Sequence, residues 1–361
     1  MRLIRLTDEY IDELIAGAIG ARGPKLPSSA LTLGSFDGLH RGHQDLILGV
    51  QAAKRRLRLG AAAIWTFKQH PRLVLDADPE PFLLTTWREK LAVLHGLGCE
   101  VVVAADFCPQ LSRLDYREFV RKFLINYLGM KHLVAGYDVH LGRGREGTAA
   151  TLGALGKELG YTMEVAEPVR EGGRIISSSA IRTALALGDV KSASAMLGRP
   201  YAVWGEVVPG DGRGRTIGYP TANIETLDPM KLLPARGVYA VRVHVPDDAV
   251  GEGASGVREE VRDALPEVDR DGDILNLAPR SWSVFAGMLN YGSVPTFNPR
   301  GLPVPRLEAN LFGFRGDLRG RNVKVEWVAR LRPEQKFAGV EDLTRQLARD
   351  AQDAGSALDR A

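Results

Sequence analysis

The chain has 361 residues, ample for two domain cores, and 45% of them are hydrophobic, 25% are charged and the formal net charge is +3. This is the composition of an ordinary soluble globular protein, and so small and dispersed a charge gives no argument for nucleic acid as a partner. The only two cysteines, Cys99 and Cys108, exclude a disulfide framework and fit a reducing cytoplasm. No run nears the roughly 18 apolar residues of a membrane span, and the N-terminus has no apolar stretch long enough for a secretory signal.

Taken in chain order, Ala30-Leu31-Thr32-Leu33 reads as a buried parallel strand, followed by a glycine-rich turn. Leu46, Ile47, Val50 and Ala53 then recur at helix spacing, and the basic run at 54–58 reads as the solvated end of that helix. Strands are expected over 61–67, 99–104, 132–136 and 161–166, with helices over 85–96 and 116–128 between them. This alternation predicts an α/β, Rossmann-like domain whose parallel sheet is covered by helices, with ligands beyond the carboxyl ends of its strands. The rhythm changes near 184–199, and a domain boundary is placed between residues 186 and 187. Short β-type segments at 202–208, 237–243, 282–289, 307–314 and 323–328 predict a compact antiparallel barrel, closed by a helix from Val340. An acidic, glycine-rich stretch, 246–279, splits two barrel strands and reads as a structureless surface excursion, with a lid or contact surface as the alternative.

The first glycine-rich turn is Gly34-Ser35-Phe36-Asp37-Gly38-Leu39-His40-Arg41-Gly42-His43. Strand, glycine turn and helix aim backbone amides and a helix N-terminus at a phosphate, and His40 and His43 add donors to oxygens that gain charge. The H-x-x-H spacing also admits zinc, although helical zinc pairs are usually four apart. Farther on, Gly142-Arg143-Gly144-Arg145-Glu146-Gly147 has the G-x-G-x-x-G form, with Glu167 about 20 residues later, which is a dinucleotide-binding reading. Against it, the polar stretch 137–140 separates the loop from its strand, where that fingerprint needs a tight turn.

In the second half, residues 205–223 concentrate glycine and arginine. Gly210, Arg213, Gly214, Arg215 and Gly218 form a loop suited to wrapping phosphates. After Pro220, Thr221 and Asn223 lie two apart on an extended segment, so both oxygens face one side and suit a hard cation such as Mg²⁺.

These motifs resemble those of the bacterial bifunctional riboflavin kinase/FAD synthetases, in which a nucleotidyltransferase domain with an H-x-G-H motif precedes a riboflavin kinase barrel. Four stretches carry the first half of the resemblance: 34–43, Thr66-Phe67-Lys68-Gln69-His70-Pro71-Arg72, Gly136-Tyr137-Asp138-Val139-His140-Leu141-Gly142 and Ile176-Ser177-Ser178-Ser179-Ala180-Ile181-Arg182. The P-T-A-N segment at 220–223, Asn290-Tyr291-Gly292-Ser293-Val294-Pro295-Thr296-Phe297, Leu307-Glu308-Ala309-Asn310 and the segment 330–337 carry the second. The resemblance implies catalytic roles for His40, His43 and Arg182 in adenylyl transfer to FMN, with Gly34, Phe36, Asp37, Gly38, Asp138, Ser178 and Ser179 around the nucleotide. It implies Glu308 as the base in riboflavin phosphorylation, Asn290 at the same site, and Mg²⁺ with ATP as co-substrate. Riboflavin, FMN, FAD, ADP and pyrophosphate would be the other small-molecule partners. Ser35 stands where the family usually has Asn, Val139 and Leu141 replace two aromatics, and Asn310 and Gly313 replace a His and an Asp. A kinase with a degenerate N-terminal module, or a non-catalytic flavin-binding protein, are the competing readings.

Overall fold

A computed structural model describes residues 1–17, 25–261, 267–268, 274–276, 280–292 and 305–361. They form two compact units: Met1–Glu80, Trp87–Ser177 and Leu265–Leu277 make the first, and Pro81–Thr86, Ser178–Ala264 and Ala278–Ala361 the second.

The first unit begins with β1 (Arg2–Leu6), α1 (Asp8–Ile15), β2 (Ser29–Leu33), α2 (Arg41–Arg56), β3 (Ala61–Phe67) and α3 (Pro71–Leu75). Next come α4 (Trp87–Gly96), β4 (Val101–Ala105), α5 (Pro109–Arg113), α6 (Tyr116–Phe119), β5 (Met130–Gly136), α7 (Ala149–Leu159) and β6 (Thr162–Ala166). Two short strands, β7 (Arg170–Glu171) and β8 (Arg174–Ile175), form a hairpin. The six main strands make one parallel sheet in the order β1-β4-β3-β2-β5-β6. Alternation along β3 buries both faces, as a parallel sheet requires: Ala61, Ala63 and Trp65 enter one core, Ala62 and Ile64 the other. The chain leaves β2 toward β3 and β4, then returns to the other side of β2 as β5. The order therefore reverses between β2 and β5, and the loops after these two strands flank that point.

The second unit contains α8 (Ser178–Ala186), α9 (Val190–Leu197), β9 (Tyr201–Val208), α10 (Arg213–Thr216), β10 (Ala222–Thr226) and β11 (Gly237–Pro246). Then follow β12 (Val257–Val261), β15 (Arg280–Gly292), β16 (Arg306–Leu311), β17 (Asn322–Arg332) and α11 (Val340–Asp359); the hairpin of β13 (Glu267–Val268) and β14 (Ile274–Asn276), between β12 and β15 in the chain, groups with the first unit. Strands run antiparallel in the order β11-β17-β9-β10-β16-β15, and β15 returns to β11, closing a six-stranded barrel. Its interior holds Tyr201, Tyr239, Val241, Phe285, Leu289 and Trp327, all buried. On its outer face Ala240, Met288 and Val328 meet Ala354, Ala357 and Leu358 of α11.

Four sequence expectations change. The division falls after Ser177 rather than residue 186, because Ile181, Ala184 and Leu185 of α8 pack in the barrel core. The acidic insertion is not structureless: β12 pairs with β15 and adds a strand to the barrel sheet. Residues 116–128 do not form one regular helix; α6 gives way to a π-helical stretch at Val120–Tyr127. Strand β1 was not anticipated because Arg2-Leu3-Ile4-Arg5-Leu6 carries arginines at an edge, yet it pairs with β4 throughout.

Two charged contacts hold the second unit. Arg332 grips Asp350 of α11 by a two-pronged pair at 2.9 and 2.6 Å, and the Asp350 side chain is 1% exposed. Asp350→Ala leaves the guanidinium unpaired and is expected to cost about 3 kcal/mol, read as a lower urea midpoint of the barrel transition. Glu326 sits between His244 (3.2 Å) and Lys324 (3.0 Å). Burial acts against its charge, but the hydrogen bond from His244 and the Lys324 ammonium outweigh it and hold its pKa at about 2, against 4.5. With the folded value below the unfolded one, this contribution is full above about pH 4.5 and vanishes as pH falls toward 2. Urea midpoints measured across that window are expected to fall less steeply in Glu326→Gln than in the wild type.

Candidate active sites

The turn after β2 lies at the carboxyl end of the parallel sheet, beside the strand-order reversal. Phe36, Gly38 and Leu39 have φ of 48°, 82° and 44°, so the chain folds back on itself before α2 begins. Phe36, Asp37, Leu39 and His40 are buried, and Gly34 N–H donates to Trp65 O at 3.1 Å. His40 caps α2: its Nδ1 accepts the His43 amide at 3.4 Å. A ring nitrogen that accepts leaves the proton of neutral imidazole on Nε2, where it can be donated. The rings of His40 and His43 stack, with centroids 3.6 Å apart and planes 18° from parallel, and Phe36 and His43 meet in a T-shaped arrangement. Lone pairs in two parallel, stacked planes do not converge on one ion, which disposes of the zinc reading for this pair. Among the described residues no three His, Cys, Asp or Glu side chains gather as a metal site.

The loop after β5 flanks the same point. Asp138 is exposed, and its carbonyl meets His140 Nδ1 at 2.8 Å. Val139 and Leu141, the two departures from aromatics, pack against the first core. The G-x-G-x-x-G stretch is no strand-to-helix turn. Leu141 and Gly147 exchange two backbone hydrogen bonds of 3.0 Å, closing the loop on itself before Thr148 caps α7.

In the barrel, strand register assembles the second site. Asn223 of β10 lies opposite Glu308 of β16, and Glu308 lies opposite Asn290 of β15. Laterally paired residues share a face. Their neighbours Ile224, Leu307, Ala309 and Leu289 point into the barrel core, so this polar row is on the outer face. Glu308 is half-buried. Asn223 is buried, and its Oδ1 has no hydrogen-bond partner among the described residues.

The loop 209–221 folds down onto this row. A Cβ on Gly210 would come within 1.9 Å of Asn223 Nδ2, and one on Gly214 within 2.2 Å of Tyr219 O, so close packing requires glycine at both positions. Asn310, next but one to Glu308, donates from Nδ2 to Pro220 O at 2.7 Å and so anchors the segment bearing Thr221. Arg215, Gly218, Pro220 and Thr221 are exposed; the Arg213 side chain and residues 293–297 of the Asn290 motif lie outside the described residues.

The motif at 176–182 belongs to the second unit from Ser178 onward. There Arg182 Nε donates to Phe82 O at 2.9 Å, and its guanidinium lies over the Phe82 ring. Ser178 and Ser179 open α8. Asn310 is legible in the sequence only as a departure from the family's His after Glu308, and its anchoring of Pro220 has no sequence signal. Lys90 is a functional side chain that the sequence analysis does not single out; its one signal is that it stands four residues before Leu94 on the buried side of α4.

A family model described as FAD synthetase matches residues 24–180, and one described as riboflavin kinase matches residues 197–358. The chain is 36% identical over 330 residues to the bifunctional riboflavin kinase/FMN adenylyltransferase of Bacillus subtilis, covering 90% of this chain and 91% of that protein. It is 35% identical to the Escherichia coli K12 protein of the same name, over 89% and 90% of the two chains. The chain belongs to the bifunctional riboflavin kinase/FMN adenylyltransferase family. A solved structure titled a macrolide-efflux protein from Streptococcus pneumoniae is also similar, with a TM-score of 0.74, 29% identity and coverage of 97% of both chains. Among the described residues no helix is long and apolar enough to cross a membrane. Within the bifunctional family the two candidate sites divide naturally: the FAD synthetase match contains the turn at 34–43, and the riboflavin kinase match contains the Asn223–Glu308–Asn290 row.

Proposed function

We propose that the chain makes both flavin cofactors, phosphorylating riboflavin to FMN with ATP and then adenylylating FMN to FAD with release of pyrophosphate. The observation that carries this reading is the tandem of two family matches on one chain, each over a separate polar constellation.

For phosphorylation, Glu308 takes the proton of the terminal ribityl hydroxyl as its oxygen attacks the γ-phosphorus of ATP, and ADP leaves. Asn290 and Asn223 flank the carboxylate in register and fix where the hydroxyl sits. Thr221 and Asn223 would hold Mg²⁺, and the unpartnered, buried Asn223 Oδ1 fits a hard cation that needs oxygen donors. When bound, that ion neutralises phosphate charge. Gly210, Gly214 and Gly218 let the loop lie close to the nucleotide, with Arg213 and Arg215 binding its phosphates.

For adenylylation, a phosphate oxygen of FMN attacks the α-phosphorus of ATP and pyrophosphate departs, with no covalent enzyme intermediate. The N-terminus of α2 and the His40 and His43 rings stabilise charge on the triphosphate. Gly34, Phe36, Asp37 and Gly38 shape that turn, and Asp138 orients the nucleotide. Ser178, Ser179 and Arg182 are assigned to the phosphates through the family motif. Two observations count against a decayed module: Val139 and Leu141 serve the core, and Ser35 is used through its backbone carbonyl. A cytoplasmic location follows from ATP as co-substrate of both steps and from two free, buried cysteines. All partners in this reading are small molecules.

The test is to incubate the purified chain with riboflavin, ATP and Mg²⁺ and to follow FMN and FAD by chromatography. Glu308→Gln is expected to lower FMN formation by about 100-fold or more while FAD formation from supplied FMN persists. Parallel loss of both activities in that variant would show that the two sites are not separate.

A further inference from the structure

Lys90 is a cation in the wrong place by ordinary rules. Its side chain leaves α4 on the buried side, and the residue is 4% exposed. A buried ammonium persists only where its three protons find acceptors. Here they do: Nζ donates to Ser35 O at 2.7 Å, to Phe67 O at 3.2 Å and to Thr66 Oγ1 at 3.4 Å. Thr66 Oγ1 in turn donates to the same Ser35 carbonyl at 3.2 Å.

The acceptors are not scattered. Phe67 is the last residue of β3, and Ser35 stands two residues past the end of β2, so one ammonium ties two neighbouring strands at the carboxyl edge of the sheet. Immediately after Ser35 the chain enters the left-handed turn at Phe36, which a side chain other than glycine adopts only when its surroundings impose it. That turn sets the direction of the residues from Asp37 to the cap of α2 at His40. The ammonium thus holds the root of the turn rather than any ligand. Burial drives its pKa down to about 8, with the Asp37 carboxylate opposing the shift, so the lysine stays cationic at neutral pH.

We propose that Lys90 is the positioning residue of the adenylyl-transfer site, fixing the Ser35 carbonyl and thereby the turn that presents His40, His43 and the α2 N-terminus to the nucleotide triphosphate. The proposal rests on the adenylyltransferase reading above. It assigns Lys90 no contact with substrate. Its effect is on how often the bound reactants meet in reactive geometry, which belongs to kcat rather than to binding.

The experiment uses the full chain as wild type, Lys90→Met and Thr66→Val. Methionine keeps an unbranched stem as long as that of lysine and removes the ammonium. FAD formation from supplied FMN and ATP is measured at steady state, and FMN formation from riboflavin reports an intact second unit in the same preparation. In Lys90→Met, kcat for FAD formation is expected to fall about 100-fold, with KM for ATP and FMN within about threefold of wild type and FMN formation unchanged. Thr66→Val, which removes the second donor to Ser35 O, is expected to lower the same kcat by about 3- to 10-fold. A kcat within about threefold of wild type in Lys90→Met, or a loss confined to KM, overturns the proposal. Should Lys90→Met lose FMN formation as well, the near-isosteric Thr66→Val decides, and an unchanged kcat there overturns it. A wild-type chain that makes FMN but no FAD removes the adenylyltransferase reading itself, an outcome distinct from any result in the variants.

Discussion

Lateral register between three antiparallel strands is the constraint on which the kinase site depends. Asn223, Glu308 and Asn290 come from segments separated by up to 85 positions, and nothing local brings them together. Closing the barrel does. Once β10, β16 and β15 pair with Ile224, Leu307 and Leu289 inward, the three polar residues fall in one row on the outside. A slip of one residue in any pair would exchange the faces and bury the carboxylate among Tyr239, Phe285 and Trp327. The cost of that burial is what protects the row, so the apolar interior specifies the catalytic exterior. The loop above the row obeys a second steric rule: Gly210 and Gly214 are needed because Asn223 and Tyr219 already occupy the space a Cβ would take.

The first unit solves its problem differently. A parallel sheet buried on both faces leaves its strand ends as the only place for polar chemistry, and the reversal of order between β2 and β5 opens that place. The turn after β2 then has to be held against its own backbone preferences. Stacked histidine rings, a self-capping His40 and a buried ammonium under Ser35 supply the hold. Each is a tertiary contact acting on a short motif. The same unit shows why a string match is weak on its own: 142–147 has every glycine of a dinucleotide fingerprint, yet Leu141 and Gly147 close it into a loop of its own instead of a tight strand-to-helix turn.

Much of this was legible in the linear order of residues. Continuous apolar runs and helical spacing located β3, β5 and α2 closely, because these elements are wholly apolar or amphipathic and local geometry suffices to read them. Strand β1 is not legible, since arginines at a sheet edge carry little apolar signal, and of the short β10 only the extended segment bearing Thr221 and Asn223 is. The boundary was misplaced because α8 looks like a continuation of the first domain's helices, whereas its apolar side fits the barrel core. Lys90 left only a faint mark, a charge among apolar helix positions, and its meaning depends on carbonyls that arrive from β2 and β3.

The sequence by itself determined the residue types: which turns could take glycine, which side chains could accept a proton or donate to phosphate, and that two unlike architectures follow one another. Tertiary structure alone decided which of these groups are neighbours. Hydrogen-bonded register set Asn223 and Asn290 beside Glu308, and packing placed an ammonium beneath Ser35. The reason is physical: side-chain chemistry is a property of single residues, but proximity across a sheet is set by burial and pairing of segments far apart in the chain, which no local pattern encodes.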